Sequence, residues 1–150
     1  MNYGINCKPL IRVLKLIGVP TGQKVLTKFS TPKWILEDKI LFARFINRLF
    51  SCEASVDLNY KFIEIQMYKS TILIEDGINF FKEIKKYLDD YFNITTTNPF
   101  IEKRLNVRKD GIKTQAIRLK IKQKDSVLRF KNLIGIEDPI KKIKLEKITS

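Results

Sequence analysis

The stretch Phe45-Ile46-Asn47-Arg48-Leu49-Phe50-Ser51-Cys52-Glu53-Ala54-Ser55-Val56 contains a change of period. Upstream of it, from Trp34 or Asp38 to about Phe50, Leu41, Phe42, Phe45, Ile46, Leu49 and Phe50 recur at helical spacing. That stripe is wider than an ordinary surface helix needs, so the helix is expected to be buried on more than one side. From Val56 the spacing becomes that of a strand. Val56, Leu58 and Tyr60 alternate, and Ile63, Ile65 and Met67 then alternate in the opposite phase, which puts a turn near Asn59-Tyr60-Lys61. A helix followed closely by a hairpin organises the rest of the chain.

Working outward, Leu10, Val13, Leu14 and Ile17 mark a short helix from Pro9 to Ile17, stopped by Gly18 and Pro20. On the other side, Ile74, Ile78, Phe81, Ile84, Leu88 and Tyr91 line the longest helix, Thr71 to Phe92, closed by Thr95-Thr96-Thr97-Asn98-Pro99. A second hairpin follows: Ile101 to Arg108, a Lys109-Asp110-Gly111 turn, then Lys113 to Gln123. Its second arm is amphipathic. Gln115, Ile117, Leu119 and Ile121 fall on one face and Thr114, Ala116, Arg118, Lys120 and Lys122 on the other. Helices over Asp125 to Ile134 and Pro139 to Ile148 complete the order. The expected architecture is α+β: one domain over 1–150, with a helical preamble and connection in 1–37 and a core in 38–150.

Composition narrows the chemistry. The formal charge is +13 on 150 residues, which points to a polyanionic partner bound through its phosphates. Residues 1–50 hold nine Lys/Arg against two acids, residues 51–100 five against eight, and residues 101–150 fifteen against six, so the positive charge sits at the two ends. With no histidine, Ser-His-Asp hydrolysis, Cys-His catalysis and the usual zinc sites are excluded. Any metal would be a hard cation held by oxygens. Cys7 and Cys52 are too few for a disulfide framework, and Lys or Arg breaks every apolar run. The expectation is a soluble, intracellular (cytoplasmic) protein with no membrane partner.

The quoted stretch resembles the LAGLIDADG motif of homing endonucleases, and the order of elements is also that family's. Three further stretches match it. Leu16 to Lys24 with Pro32-Lys33-Trp34-Ile35 resembles the connection before a second motif in two-motif enzymes. Leu119-Lys120-Ile121-Lys122-Gln123-Lys124 resembles the strand carrying a lysine into the cleavage pocket, and Phe130 to Ile136 the helix after it.

The resemblance implies an antiparallel sheet of about four strands forming a DNA-binding saddle, with helices on the other face in the order αββαββα. It also implies site-specific cleavage of double-stranded DNA with Mg2+. Under it, Glu53 and the Cys52 carbonyl are the metal ligands, Lys122 stabilises the phosphate or tunes the water, and Gln66 holds that water. Glu64, Gln66, Arg104, Asn106, Arg108, Arg118, Lys120 and Lys122 make the DNA platform, with Arg, Asn and Gln as candidate base readers.

One motif supplies one acid, so the resemblance further implies a homodimer through the helix around Phe45 to Glu53, or a missing N-terminal half. Arg48, Ser51 and Ala54 depart from the usual glycine, aspartate and glycine. Those departures keep two other readings open, a DNA-binding protein without cleavage and an RNA-splicing maturase. A solvated Glu53 at a helix end would oppose the helix dipole, and would ask for a cation nearby.

Overall fold

The computed structural model describes residues 8–19 and 21–150; Cys7 and Pro20 lie outside them. Six helices and four strands follow in the order α1 (Lys8–Leu16), α2 (Lys33–Leu36), α3 (Lys39–Glu53), β1 (Ala54–Asp57), β2 (Phe62–Ser70), α4 (Ile74–Phe92), β3 (Phe100–Val107), β4 (Lys113–Ile121), α5 (Lys124–Leu133) and α6 (Pro139–Thr149). The strands form one antiparallel sheet in the order β1-β2-β4-β3. The class is α+β, and from α3 onward the elements alternate one helix with two strands before the closing helix pair.

Local chemistry accounts for the boundaries. Asp38 caps α3 by accepting from the amides of Ile40 and Leu41. The helix runs to Glu53, three residues beyond the end expected from the apolar stripe, and its last buried side chains are Phe50 and Ser51. The first hairpin turns earlier than the alternation implied. Asp57 accepts from the amides of Asn59 and Tyr60, and Lys61 takes a positive φ of 52°, so β1 stops at Asp57. Leu58 and Tyr60 therefore stand in the turn, and Tyr60 is 79% exposed. Asn93 closes α4 in the left-handed conformation, its amide donating to the Asp89 carbonyl. The second hairpin turns as expected, with Gly111 at φ 80°.

The core lies between one face of the sheet and the helices. Ile63, Ile65 and Met67 of β2 and Ile117, Leu119 and Ile121 of β4 are buried in one cluster with Phe42, Ile46, Phe50, Phe81, Ile84, Leu88 and Phe130. Lys69, on that same face, is fully buried. Its ammonium lies 3.0 Å from the Asp76 carboxylate, 2.6 Å from the Thr27 carbonyl and 4.1 Å from the centre of the Phe29 ring. The connection before α2 is pinned along its length. The Ser70 amide donates to the Val25 carbonyl, Phe29 to Asp76 and Thr31 to Glu83.

The apolar stripes of the two helices are covered to different extents, and the expectation that α3 is buried on more than one side needs correcting. No residue of α1 is buried, and Leu10, Val13 and Ile17 are exposed. In α3, Leu41, Arg44 and Arg48 face outward, so that helix is covered on the side of Phe42, Ile46 and Phe50 and open on the other. Among the described residues no helix is long and apolar enough to cross a membrane.

Candidate nucleic-acid interface and carboxylate site

The second face of the sheet carries the side chains one residue out of phase with the core. Register makes this explicit: Glu64 stands opposite Lys120, Gln66 opposite Arg118, and Phe100 opposite Arg118 from the other side. Phe62, Glu64, Gln66 and Tyr68 of β2 thus share a face with Ala116, Arg118 and Lys120 of β4. Asn106 pairs with Thr114 and joins this face, while Arg104 falls in the irregular stretch between Ile101 and Leu105. Arg108 lies just past β3, held by Asp110 at 3.2 Å and by the Gln23 amide oxygen at 3.3 Å. The Ile112 amide and then the Arg108 guanidinium hold the Asp110 carboxyl below its ordinary range.

The centre of the face is not simply cationic. Arg118 spreads its guanidinium between two acids, Nη1 donating to Glu64 at 3.1 Å and Nη2 to Glu102 at 2.9 Å. The Lys120 ammonium lies 2.7 Å from the other Glu64 oxygen, an ionic contact rather than a well-aligned hydrogen bond. That ammonium also sits 4.2 Å from the Phe62 ring centre and 5.7 Å from that of Phe100. Two carboxylates and two cations therefore balance at the middle. Glu64, 8% exposed, is the best shielded of the four.

At the C-terminus of α3 the chain supplies the cation that the helix dipole asks for. Glu53 pairs with Lys24, a residue of the pinned connection. From α6, the Lys141 ammonium donates to the last helical carbonyls, those of Ser51 at 2.6 Å and Cys52 at 3.3 Å. Ser51 donates to the Asn47 carbonyl and accepts from the Glu137 amide at 2.8 Å, so the residue that replaces the motif's aspartate anchors the loop after α5. Arg48 lies on the open side of α3, 2.9 Å from Glu137.

Of the residues assigned to cleavage, the fold gathers two. Ala54 pairs with Ile65, so Glu53 lies level with Gln66, and both line one concavity with Lys24, Ser55, Glu64 and Tyr68. Lys122 is elsewhere. It follows Ile121, the partner of Ile63, which puts it level with Phe62, four residues and about 13 Å along β2 from Gln66. Lys24, Lys141, Glu102 and the rings of Phe62 and Phe100 escaped the sequence reading. Only the dipole argument at Glu53 gave a signal for any of them, by asking for a cation without naming Lys24.

A bound Mg2+ keeps several waters and takes one or two carboxylates, often with substrate phosphates. Here Glu53 is matched by Lys24, Glu64 by Arg118 and Lys120, and the Cys52 carbonyl by Lys141. Among the described residues no three His, Cys, Asp or Glu side chains converge. Glu53, Glu64 and the Cys52 carbonyl are thus each met by a cation of the same chain.

No family model matches the sequence. It is 28% identical over 137 residues to a protein of Methanopyrus kandleri named tRNA-splicing ligase RtcB, a match covering 87% of this chain. The chain spans 13% of the length of that relative.

Proposed function

We propose that this chain is a duplex-DNA-binding domain with the LAGLIDADG fold, which reads its target through the helix-free face of the sheet. The observation that carries this reading is the continuity of that face: both hairpins contribute to it, and Gln66, Asn106 and Arg118 stand on it beside Lys120. Arg, Asn and Gln are the side chains whose donor and acceptor patterns match guanine and adenine edges in the major groove. Arg104, Arg108 and Lys122 lie toward its margins, where phosphates of a docked duplex pass. The net charge of +13 supplies the attraction that brings a duplex there.

A second reading, double-strand cleavage with Mg2+, is favoured by the meeting of Glu53 and Gln66 in one concavity next to that face. It needs a counterpart helix, from a second copy or another half, to bring a further carboxylate to Glu53. The counter-charges of Lys24 and Lys141 weigh toward binding without cleavage.

The test is a randomised duplex library incubated with the protein, with and without Mg2+. Recovery of a discrete set of duplexes in both conditions is the expected result. Discrete cuts that need Mg2+ and vanish in Glu53→Gln, with binding intact, would establish the cleavage reading. The relative's name brings RNA into the comparison, so structured RNA is included as a competitor. Its displacement of every recovered duplex at equal concentration would overturn the DNA reading.

A further inference from the structure

We propose that Glu64 and Glu102 are specificity-determining residues, which hold Arg118 and Lys120 away from the phosphate backbone so that the centre of the sheet discriminates among base sequences. The proposal rests on the duplex-binding reading and adds a role that the acids of this face otherwise lack. A surface built only for affinity would leave its central cations free. Here each terminal nitrogen of Arg118 is committed to a different carboxylate, one from β2 and one from β3. Lys120 is held from three sides by Glu64, Phe62 and Phe100.

A non-cognate duplex offers these cations its phosphates but no matching base edge at their position. To take them it must break charge-assisted hydrogen bonds and bring its own negative charge against Glu64 and Glu102. A cognate duplex can compensate through its base edges. Guanine O6 and N7 accept from the Arg118 fork, and a cytosine amino group donates to a carboxylate released from it. The acids therefore penalise wrong sequences more than the right one, which is specificity obtained by weakening the competitors. Burial makes the arrangement stiff, because Glu64 cannot turn to solvent when its cations leave.

The experiment compares the full chain with Glu102→Gln, and with Glu64→Gln combined with Glu102→Gln. Probes are a duplex recovered from a randomised pool by the parent protein and a scrambled duplex of the same length and composition. Affinities are measured across a salt series. Glu102 is about one third exposed on an edge strand, so its single variant keeps the fold even where the double variant does not.

Both variants are expected to bind the scrambled duplex more tightly, by about tenfold, and with a steeper salt dependence. The log–log slope grows by about one for each cation released to a phosphate. The ratio between recovered and scrambled duplex falls accordingly. Unchanged or weaker scrambled-duplex binding by a folded Glu102→Gln, while the parent binds its recovered duplex, overturns the proposal alone. No binding of any duplex by the parent overturns the duplex reading, and this proposal with it.

Discussion

Lys69 carries a full charge into the interior, and its neighbours set what that costs. Its ammonium is met by Asp76, by the Thr27 carbonyl and by the Phe29 ring, so α4 and the connection before α2 converge on one side chain. Removing one partner of such a pair leaves the other stranded, whereas replacing the charged member by an apolar side chain of similar shape removes the problem. Asp76→Ala is therefore expected to cost about 3 kcal/mol of stability. Lys69→Met should cost about 1 kcal/mol, since Asp76 retains access to water. Urea denaturation of the two variants checks the order, and equal losses would contradict it. Glu53 is the opposite case, a surface acid whose pair with Lys24 contributes little to stability. Glu53→Gln should leave the unfolding midpoint nearly unchanged, which makes it a clean variant for nucleic-acid assays.

Among the elements, α4 crosses the sheet where it can come closest. Gly77 lies in its first turn, and a Cβ there would meet the Ile117 Cδ1 at 2.3 Å and the Lys69 Cγ at 2.9 Å. Helix propensity alone would reward alanine by nearly 1 kcal/mol. Overpacking against β2 and β4 opposes it, and because both contacts fall on fully buried side chains it wins. Gly77→Ala is expected to lower stability by about 1–2 kcal/mol net. Thermal unfolding followed by circular dichroism checks the sign, and a stabilised variant would mean the helix can withdraw from the sheet. The paired strands show how limited alternation is as a guide. The Val56, Leu58, Tyr60 alternation implied a longer first strand, yet the Asp57 side chain captured two amides and ended it. Side-chain-to-backbone hydrogen bonds of this kind compete locally with the strand ladder, and periodicity does not register them.

At the scale of the whole molecule, the proposed duplex binding by the sheet and any pairing through the open side of α3 are expected to respond oppositely to salt. Pairing of two copies through α3 would bring Leu41 to Leu41, but also Arg44 and Arg48 toward their symmetry mates. Screening weakens that repulsion and spares the apolar contact. Any self-association through this helix is therefore expected to strengthen as salt is raised, while duplex binding weakens over the same series. Sedimentation velocity without DNA, beside binding measurements at matched salt, checks both directions. A dimer that dissociates at high salt would place its contacts elsewhere.

The sequence by itself determined the order and type of the elements from α3 to α6, the two hairpins and the apolar face of β4. Those are properties of spacing, and spacing is local. It could not show that Arg118 and Lys120 would meet Glu64 and Glu102, because those acids are 54 and 16 residues from Arg118 along the chain. Nor could it show that Lys24 would reach Glu53, that Lys141 would close the same helix end, or that Lys122 would lie some four residues along β2 from Gln66. Register and the folding back of the connection decide such contacts, and only the packed chain fixes which charges become neighbours.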